Sequence, residues 1–150
     1  MVKLNLSSQI VLNKVPEEFY HPKTAVELSE LTRCEKLPTT IFPKTEEGAL
    51  SIATTIANAI RQKQQSGQYC VLGLGTGSSL TPVFNELIRL HKEEKLSFSN
   101  VVVFNAYEYF PLQPSAKNST LNQLKERLLN HIDINPQNVF TLEGTVPQDR

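Results

Sequence analysis

Two short apolar runs on either side of a helical pattern constrain the fold of this 150-residue chain more than any other feature. The runs are residues 69–74 (YCVLGL) and 100–106 (NVVVFNA), and neither alternates polar with apolar side chains. Such runs are typical of strands that are buried on both faces of a sheet. Between them, apolar residues recur at the spacing of one face of a helix: Val83, Phe84, Leu87 and Ile88. Strand, helix and strand in this order predict a parallel sheet with a covering helix.

Further helical patterns flank this unit. Thr45 is a suitable N-cap for a long helix, and Ser66-Gly67 suits its end because glycine readily adopts the left-handed conformation. The apolar face predicted for this helix comprises Ile52, Ile56, Ala59 and Ile60. A later helix is expected from about Asn118, with one apolar side formed by Leu121, Leu124 and Leu128. This alternation predicts an α/β fold, which we expect to be a Rossmann-like three-layer α/β/α arrangement with a mostly parallel sheet.

Shorter patterns lie towards the two ends of the sequence. A helix is predicted from Thr24, and residues 39–42 (TTIF) predict an edge strand because prolines flank them. A turn at Asn135-Pro136 precedes a last short strand, expected between Val139 and Leu142. We therefore expect residues 1–44 to form an N-terminal extension that packs on the core, and residues 45–150 to form the α/β domain.

Composition and charge argue against several classes of protein. Fifteen basic residues balance fifteen acidic ones, so no net field favours nucleic acid or an anionic membrane. The sequence begins without a signal-peptide pattern and has no segment of transmembrane length, so we expect a cytoplasmic protein. Cys34 and Cys70 are too far apart to form a zinc-binding pair, and Cys70 is expected to be a buried free thiol. We expect neither a metal nor a cofactor.

The segment VLGLGTGSSLTP, between the first run and the helix, carries the clearest binding signal. Glycines let the backbone turn sharply and approach a ligand, and amides at the entrance to a helix form an anion site. The residues expected to contact the anion are Gly75, Thr76, Gly77, Ser78 and Ser79. The alternative is a tight strand-to-helix turn that binds nothing. A Walker loop is excluded because no Gly-Lys-Ser/Thr follows, and a dinucleotide fingerprint fits poorly because its third glycine is missing.

The same loop resembles the first motif of S-adenosylmethionine-dependent methyltransferases, which often reads VLDLGTGSG. In this chain Gly73 replaces the acid of that motif and Ser79 replaces its last glycine. The second apolar run ends in Asn105 rather than in the acid that would hold a ribose. A methyltransferase-like nucleotide-binding domain is therefore one alternative.

A second polar segment, FNAYEYFPL, follows the second apolar run. Loops after successive parallel strands open on the same carboxyl edge of a sheet, so this segment and the glycine loop are expected to face one crevice. Together with LIRLHKEEKLSFSNVVV and LLNHIDINPQNV, the two segments resemble the glucosamine-6-phosphate deaminase/isomerase family. Members of that family carry a Leu-Gly-Leu-Pro/Ala-Thr-Gly loop, a His-Lys helix end, a Ser-Phe pair, a strand ending Phe-Asn-x-Asp-Glu-Tyr and a DHIDI-like turn. The order and the spacing of these motifs agree over about residues 70–139.

The resemblance implies that an amino-sugar phosphate is isomerised from aldose to ketose and loses ammonia. It also implies that the phosphate lies on the loop from Thr76 to Ser79, and that the general base is the Asp of the Asp-Glu-Tyr motif. Here Tyr107 occupies the position of that base, whereas Glu108 and Tyr109 keep the family residues. Tyrosine side chains titrate at about pH 10, so a phenol is a poor proton acceptor at neutral pH.

Two interpretations of this segment stay open. In the first, Tyr107 or Glu108 is catalytic, although neighbours on an extended segment point to opposite sides and Glu108 would then need a backbone shift to replace the base. In the second, Tyr107 and Tyr109 pack the wall of the crevice and Glu108 bonds backbone amides.

The family has a later Gly-x-Gly-x-Asp-Gly-His-type motif, and this chain ends at Arg150 without one. Its three histidines, His21, His91 and His131, do not match that motif and are expected to be structural or solvent-facing. The chain thus resembles the front part of a family domain, with an incomplete sheet, and is expected to be inactive alone. Its opening, LNLSSQIVLNKVPEEFY, is similar to the N-terminal extension of longer bacterial members that carry a downstream de-N-acetylase-like domain.

The function expected from the resemblance is that of a glucosamine-6-phosphate deaminase/isomerase-like protein with a degraded base position. A small sugar phosphate is the expected partner, without nucleic acid or membrane, and a homo-oligomer is an open alternative. A non-catalytic module that binds a sugar phosphate, or regulates through it, is a second reading. Hydrolysis of a sugar-lactone phosphate is a related enzymatic possibility.

Overall fold

The structure, a computed structural model, describes residues 22–34, 37 and 39–145. The chain divides into two compact units, Met1–Gly48 and Ala49–Arg150. His21 and half of the predicted N-terminal extension lie outside the described residues, so the packing expected of that extension stays a prediction. None of the helices within the described ranges is long and apolar enough to cross a membrane.

Helix α1 of the first unit, Ala25–Thr32, confirms the helix predicted from Thr24. A capping box fixes its start: the Thr24 hydroxyl accepts the Glu27 N–H at 3.1 Å, and the Glu27 carboxylate accepts the Thr24 N–H at 3.2 Å. The strand predicted at residues 39–42 is wrong, because these residues have no regular structure. A run of four residues between prolines becomes a strand only where another strand pairs with it, and no described strand does.

The rest of the chain alternates helices with strands, as predicted. Helix α2 begins in the first unit and continues into the second. The elements are α2 (Thr45–Gln65), β1 (Cys70–Leu74), α3 (Thr81–Glu94), β2 (Val101–Asn105), α4 (Thr120–Arg127) and β3 (Val139–Phe140). Short 3-10 helices lie at Ser78–Leu80, Leu129–His131 and Pro136–Asn138.

The three strands form one parallel sheet in the order β1-β2-β3. Leu74 pairs with Asn105 at the carboxyl end of the first two strands, and Val103 pairs with Val139. The α/β class with a parallel sheet is therefore confirmed. Because both crossovers contain a helix, the loops after β1 and β2 open on the same edge of the sheet.

The core of the second unit lies between the sheet and its helices. The predicted faces of α3 and of the later helix are confirmed at Val83, Phe84, Leu87, Leu124 and Leu128, which are all at most 3% exposed. The Cys70 thiol is buried as predicted, and burial raises its pKa more than nearby Lys63 lowers it. The predicted C-terminal cap of α2 is also confirmed, because Gly67 has a φ of 65°, whereas Thr45 is the first residue of the helix and not its N-cap.

The face predicted for α2 is confirmed at Ile60 and in part at Ile56, and is wrong at Ile52 and Ala59. The buried residues are Ala49, Ala53, Ala57 and Ile60, whereas Ile52 and Ala59 are exposed and Ile56 is partly buried. Small side chains let a helix backbone lie close to the layer that it covers, so a stripe of alanines can pack better than a stripe of isoleucines. The prediction relied on hydrophobicity alone and therefore placed isoleucines, rather than the neighbouring alanines, on the buried face.

The prediction that the two apolar runs are buried on both faces is also wrong within the described residues. Val71 is 62% exposed and Phe104 is 47% exposed. The Phe104 ring stacks on that of Phe140, with centroids 5.0 Å apart, but Phe140 is itself half exposed. Side chains on one face of the sheet are thus exposed at these positions, while the predicted Rossmann-like α/β class is unaffected.

The HIDI turn is tied to the loop between α3 and β2 through Asp133. Its carboxylate accepts the Phe98 N–H at 2.6 Å and the Ser97 hydroxyl at 2.7 Å. Partial burial raises the pKa of Asp133, but these bonds and nearby His91 lower it below its usual range. A ring nitrogen of His91 lies 2.7 Å from the Leu96 carbonyl oxygen, and one of His131 lies 3.0 Å from that of Glu126. Both histidines are thus structural, as expected.

Candidate functional site

Two loops meet at the carboxyl edge of the sheet, as the sequence predicts. The glycine loop, residues 75–80, follows β1, and the tyrosine loop, residues 106–112, follows β2. Their starts are joined by a hydrogen bond from the Ala106 N–H to the Leu74 carbonyl at 2.8 Å. This bond extends the pairing of the two strands by one step and places both loops side by side.

The glycine loop leaves a row of backbone donors unused. Within the described ranges, the N–H groups of Thr76, Gly77 and Ser78 donate no hydrogen bond. The Gly77 carbonyl accepts the Leu80 N–H at 3.0 Å, which bends the chain into the 3-10 turn that leads into α3. Gly77, Ser78 and Ser79 are exposed. Unpaired N–H groups and two hydroxyls at the entrance to a helix form an arrangement that suits an anion.

Nothing within the described structure requires glycine at position 77. Its φ is −57°, an ordinary value, and an added Cβ would meet only the Ser79 hydroxyl at 3.6 Å. At Gly75 an added Cβ would lie 3.5 Å from Tyr107 Cε1, which is an ordinary contact. Gly77 therefore leaves open space beside the loop, whereas Gly75 faces the Tyr107 ring; neither glycine relieves a clash.

Tyr107 lies beside the glycine loop. Its hydroxyl is 3.4 Å from the Thr76 hydroxyl, and its ring contacts that of Tyr109 edge to face, with centroids 5.9 Å apart. Tyr107 is 40% exposed, whereas Thr76 is 5% exposed. The position that the family motif gives to a carboxylate is thus occupied by a phenol that reaches the loop expected to hold a phosphate.

Glu108 is directed at the start of α4 instead. Its carboxylate accepts the Thr120 N–H at 3.0 Å, the Ser119 hydroxyl at 2.8 Å and the Leu121 N–H at 3.3 Å, as well as the N–H of its own neighbour Tyr109 at 3.0 Å. Partial burial raises the pKa of this carboxyl, but the four hydrogen bonds outweigh it and lower the pKa to about 2. This geometry agrees with the interpretation in which Glu108 bonds backbone amides.

Asn105, at the end of β2, has both ends of its amide occupied. Its Nδ2 donates to the Tyr107 carbonyl and to the Thr120 hydroxyl, each at 3.1 Å, and its Oδ1 accepts the Leu142 N–H at 2.9 Å. Asn105 is 7% exposed. The side chain therefore fixes the turn into the tyrosine loop and is not directed at a ligand.

Two residues of the site were missed by the sequence reasoning. Arg127, in the last turn of α4, donates from Nη1 to the Thr76 carbonyl at 2.6 Å. Gly144 supports the tyrosine loop: its carbonyl accepts the Leu112 N–H at 2.8 Å, and an added Cβ would lie 2.6 Å from the Leu112 carbonyl oxygen. Each contact joins residues more than thirty positions apart, so no local pattern signals it, although a lone glycine after Glu143 hints at close backbone approach.

Comparison with known proteins identifies relatives of this arrangement. Residues 43–150 match the family of glucosamine-6-phosphate isomerases/6-phosphogluconolactonases. A glucosamine-6-phosphate deaminase-like protein of Bacteroides thetaiotaomicron is 55% identical over 148 residues, which are 99% of this chain and 22% of that protein. Glucosamine-6-phosphate deaminase 2 of Giardia intestinalis is 44% identical over 101 residues, which are 67% of this chain and 37% of that protein. The chain thus spans well under half the length of either relative.

Solved structures give the same picture of the fold. A monomeric glucosamine-6-phosphate deaminase is similar with a TM-score of 0.65 and 33% identity, over 70% of this chain and 42% of that one. A 6-phosphogluconolactonase from Trypanosoma brucei, at 22% identity, has a TM-score of 0.55 over 74% of this chain and 42% of that one. The latter likeness shows the fold alone.

Proposed function

The chain belongs to the family of glucosamine-6-phosphate isomerases and 6-phosphogluconolactonases, and on that basis we propose that it supplies the phosphate-binding side of a crevice for an amino-sugar 6-phosphate. The phosphate lies on Thr76, Gly77, Ser78 and Ser79, and the sugar extends towards Tyr107. Proton transfer from the sugar is slow in this protein because position 107 carries a phenol. The protein is thus a deaminase-like binder of a sugar phosphate with weakened chemistry.

The observation that carries the proposal is the open glycine loop. Three consecutive N–H groups lack a partner among the described residues, and the glycine at position 77 is required neither by φ nor by packing. A glycine without a structural reason is expected where a ligand approaches the backbone closely. Gly77 and Ser78 are exposed, so their N–H groups can be reached by an anion at the entrance to the helix.

The weakened chemistry follows from the tyrosine loop. A general base has to be unprotonated at the working pH and within reach of the proton that it removes. The carboxylate next to position 107 belongs to Glu108, and all of its described hydrogen bonds go to the start of α4 and to Tyr109. Releasing it to face the sugar would leave three donors around Ser119 without an acceptor. Glu108 therefore does not replace the missing base.

A methyltransferase-like function is disfavoured by the end of β2. The residue there would have to hold the ribose of the cofactor, but both ends of the Asn105 amide are used within the fold. An amide with these three bonds is not available to a ribose without loss of the turn.

Binding is tested by calorimetric titration of the intact protein with glucosamine 6-phosphate and, as a control ligand, with glucosamine. We expect the phosphate ester to bind and the free sugar to bind at least about tenfold more weakly, a difference of about 1.4 kcal/mol. Gly77→Ala is expected to weaken binding of the phosphate ester by a similar factor without lowering the melting temperature. Gly73→Ala, in β1, is expected to change neither the affinity nor the melting temperature. If S-adenosylhomocysteine binds and sugar phosphates do not, the proposal is wrong and a nucleotide-binding function replaces it.

The chemistry is tested by ammonia release from glucosamine 6-phosphate by the full-length protein, because residues 1–150 are expected to be inactive alone. Tyr107→Asp is expected to raise the rate by about 10² or more, in the range of a restored acid or base, and Tyr109→Asp serves as the matched control because that position is not the base position of the family. If Tyr107→Asp binds the substrate as the parent does and still releases no ammonia, the site is a binding or regulatory module. Parallel assays with 6-phosphogluconolactone detect the alternative hydrolysis.

A further inference from the structure

The strongest feature that the proposed function does not use is the bond between Arg127 and the glycine loop. Arg127 closes α4, and its Nη1 lies 2.6 Å from the Thr76 carbonyl oxygen. The two residues are 51 positions apart in the sequence, so the contact is a tertiary one between the helix after β2 and the loop after β1. Charge-assisted hydrogen bonds of this length are about twice as strong as neutral ones.

The bond fixes the orientation of one peptide group. The Thr76–Gly77 peptide is trans, since the cis bond of the described backbone lies at Phe110-Pro111. In a trans peptide the C=O and the N–H point in opposite directions. When the Thr76 carbonyl is held by Arg127, the Gly77 N–H is held pointing away from α4. That N–H is one of the three that donate to no described residue.

Arg127 also brings a positive charge to the loop. Among the described residues no carboxylate lies within 4.0 Å of its guanidinium, in contrast to Arg89, which pairs with Glu86, Glu93 and Glu94. Arg127 is partly buried, so its charge is less screened by solvent than that of an exposed side chain. Orientation and charge therefore act on the anion site in the same direction.

Helix α4 is itself held from its other end. Glu108, in the tyrosine loop, accepts the first two N–H groups of α4, and Arg127 extends from the last residue of the helix to the glycine loop. The helix thus connects the two loops through one hydrogen-bonded group at each end.

From these contacts we infer that Arg127 is a positioning residue for the phosphate: it aims the Gly77 N–H at the anion and adds charge behind the loop. This inference rests on the proposed function and deepens it. It assigns to Arg127 a role in the affinity for the phosphate group, and no role in recognising the sugar or in the chemical step.

The test compares Arg127→Met, Arg127→Gln and Arg127→Lys in the intact protein by titration with glucosamine 6-phosphate, inorganic phosphate and glucosamine. The Met and Gln variants are expected to lose about tenfold in affinity for both phosphate ligands, about 1.4 kcal/mol, with no change for glucosamine. The Lys variant keeps the charge and a donor, and is expected to stay within about threefold of the parent. If the Met variant does not fold, the Gln variant serves as the test, because a polar side chain is tolerated at a partly buried site.

Lys125→Met is the matched control. Lys125 lies on the same helix two residues away and is exposed, so its removal deletes the same charge without touching the loop. If Lys125→Met weakens phosphate binding as much as Arg127→Met, general electrostatics explains the effect and the inference is wrong. The inference is also wrong if Arg127→Met and Arg127→Gln fold and bind phosphate as the parent does, while Gly77→Ala still weakens phosphate binding. If the parent binds neither phosphate ligand, the proposed function fails and the inference with it.

Discussion

The glycine loop and the tyrosine loop follow neighbouring strands, yet they differ in how far their polar groups are hydrogen-bonded. In the glycine loop three consecutive N–H groups are left open among the described residues. In the tyrosine loop the Glu108 carboxylate has four donors and the Tyr107 carbonyl has two. Gly77 and Ser78 are exposed and lie at the entrance to a helix, so the open set marks the part of the crevice that an anion can reach. The paired set marks the part that holds the crevice in shape.

The largest effect is expected where the tyrosine loop meets α4. Glu108→Ala removes the acceptor of the Ser119 hydroxyl and of the Thr120 and Leu121 N–H groups. Unfolding by urea is expected to show a loss of about 3 kcal/mol, since several donors at a helix start lose a charged acceptor together. Glu126→Ala, on the same helix but exposed, serves as the control and is expected to stay within about 0.5 kcal/mol.

This prediction bears directly on the two interpretations of Glu108. A catalytic carboxylate that is not needed for the fold would be removed with little change in stability. If Glu108→Ala unfolds at the same urea concentration as the parent, the shape-holding role of the tyrosine loop is wrong.

A smaller loss is expected from Gly144→Ala, which sharpens the same comparison. An added Cβ would lie 2.6 Å from the Leu112 carbonyl oxygen and 2.7 Å from that of Tyr109, so the backbone of the tyrosine loop would have to move. Overpacking of this kind destabilises by about 2 kcal/mol. Gly73→Ala is the matched control, because an added Cβ there meets nothing within 4 Å. Equal melting temperatures for the two variants would show that the close contact of Gly144 does not hold the tyrosine loop in shape.

The sequence predicted the positions of helices and strands better than it predicted which of their faces are buried. The glycine loop, α3 and β2 were predictable because strand, turn and helix signals lie close together along the chain. The buried face of α2 was not, because the choice between Ala53 and Ile52 depends on how closely the helix packs. The exposure of Val71 was not predictable either, because an apolar run does not show whether other residues cover both faces of its strand.

The same limit applies to the site. Tyr107 and Glu108 could be located from the motif, and their placement on one edge follows from parallel strands. The partners of Glu108 could not be found from its own segment, because they lie eleven to thirteen residues later at the start of another helix. Arg127 carries no motif at all, and its contact with Thr76 depends on how α4 packs beside α3.

A further effect concerns pH and separates the two loops by their charge. Hydrogen bonds lower the pKa of Glu108 to about 2 from an ordinary value of 4.5, despite partial burial, which raises it. A carboxyl whose folded pKa lies below its unfolded pKa contributes stability that is full above about pH 5, and that is lost as pH falls from 4.5 through 2. Glu108→Gln is therefore expected to show a shallower loss of stability than the parent between pH 5 and about pH 2, measured by urea unfolding.

Hydrogen bonds lower the pKa of Asp133 as well, despite partial burial, and Asp133 is unchanged in that variant. Some acid sensitivity is therefore expected to remain in Glu108→Gln, and Asp133→Asn should remove a separate part of it. The glycine loop contains no carboxylate, so Gly77→Ala should follow the acid profile of the parent throughout. If Glu108→Gln also follows the parent, Glu108 gains nothing from its four donors in the folded state, and the two loops do not differ in the way their hydrogen bonds indicate.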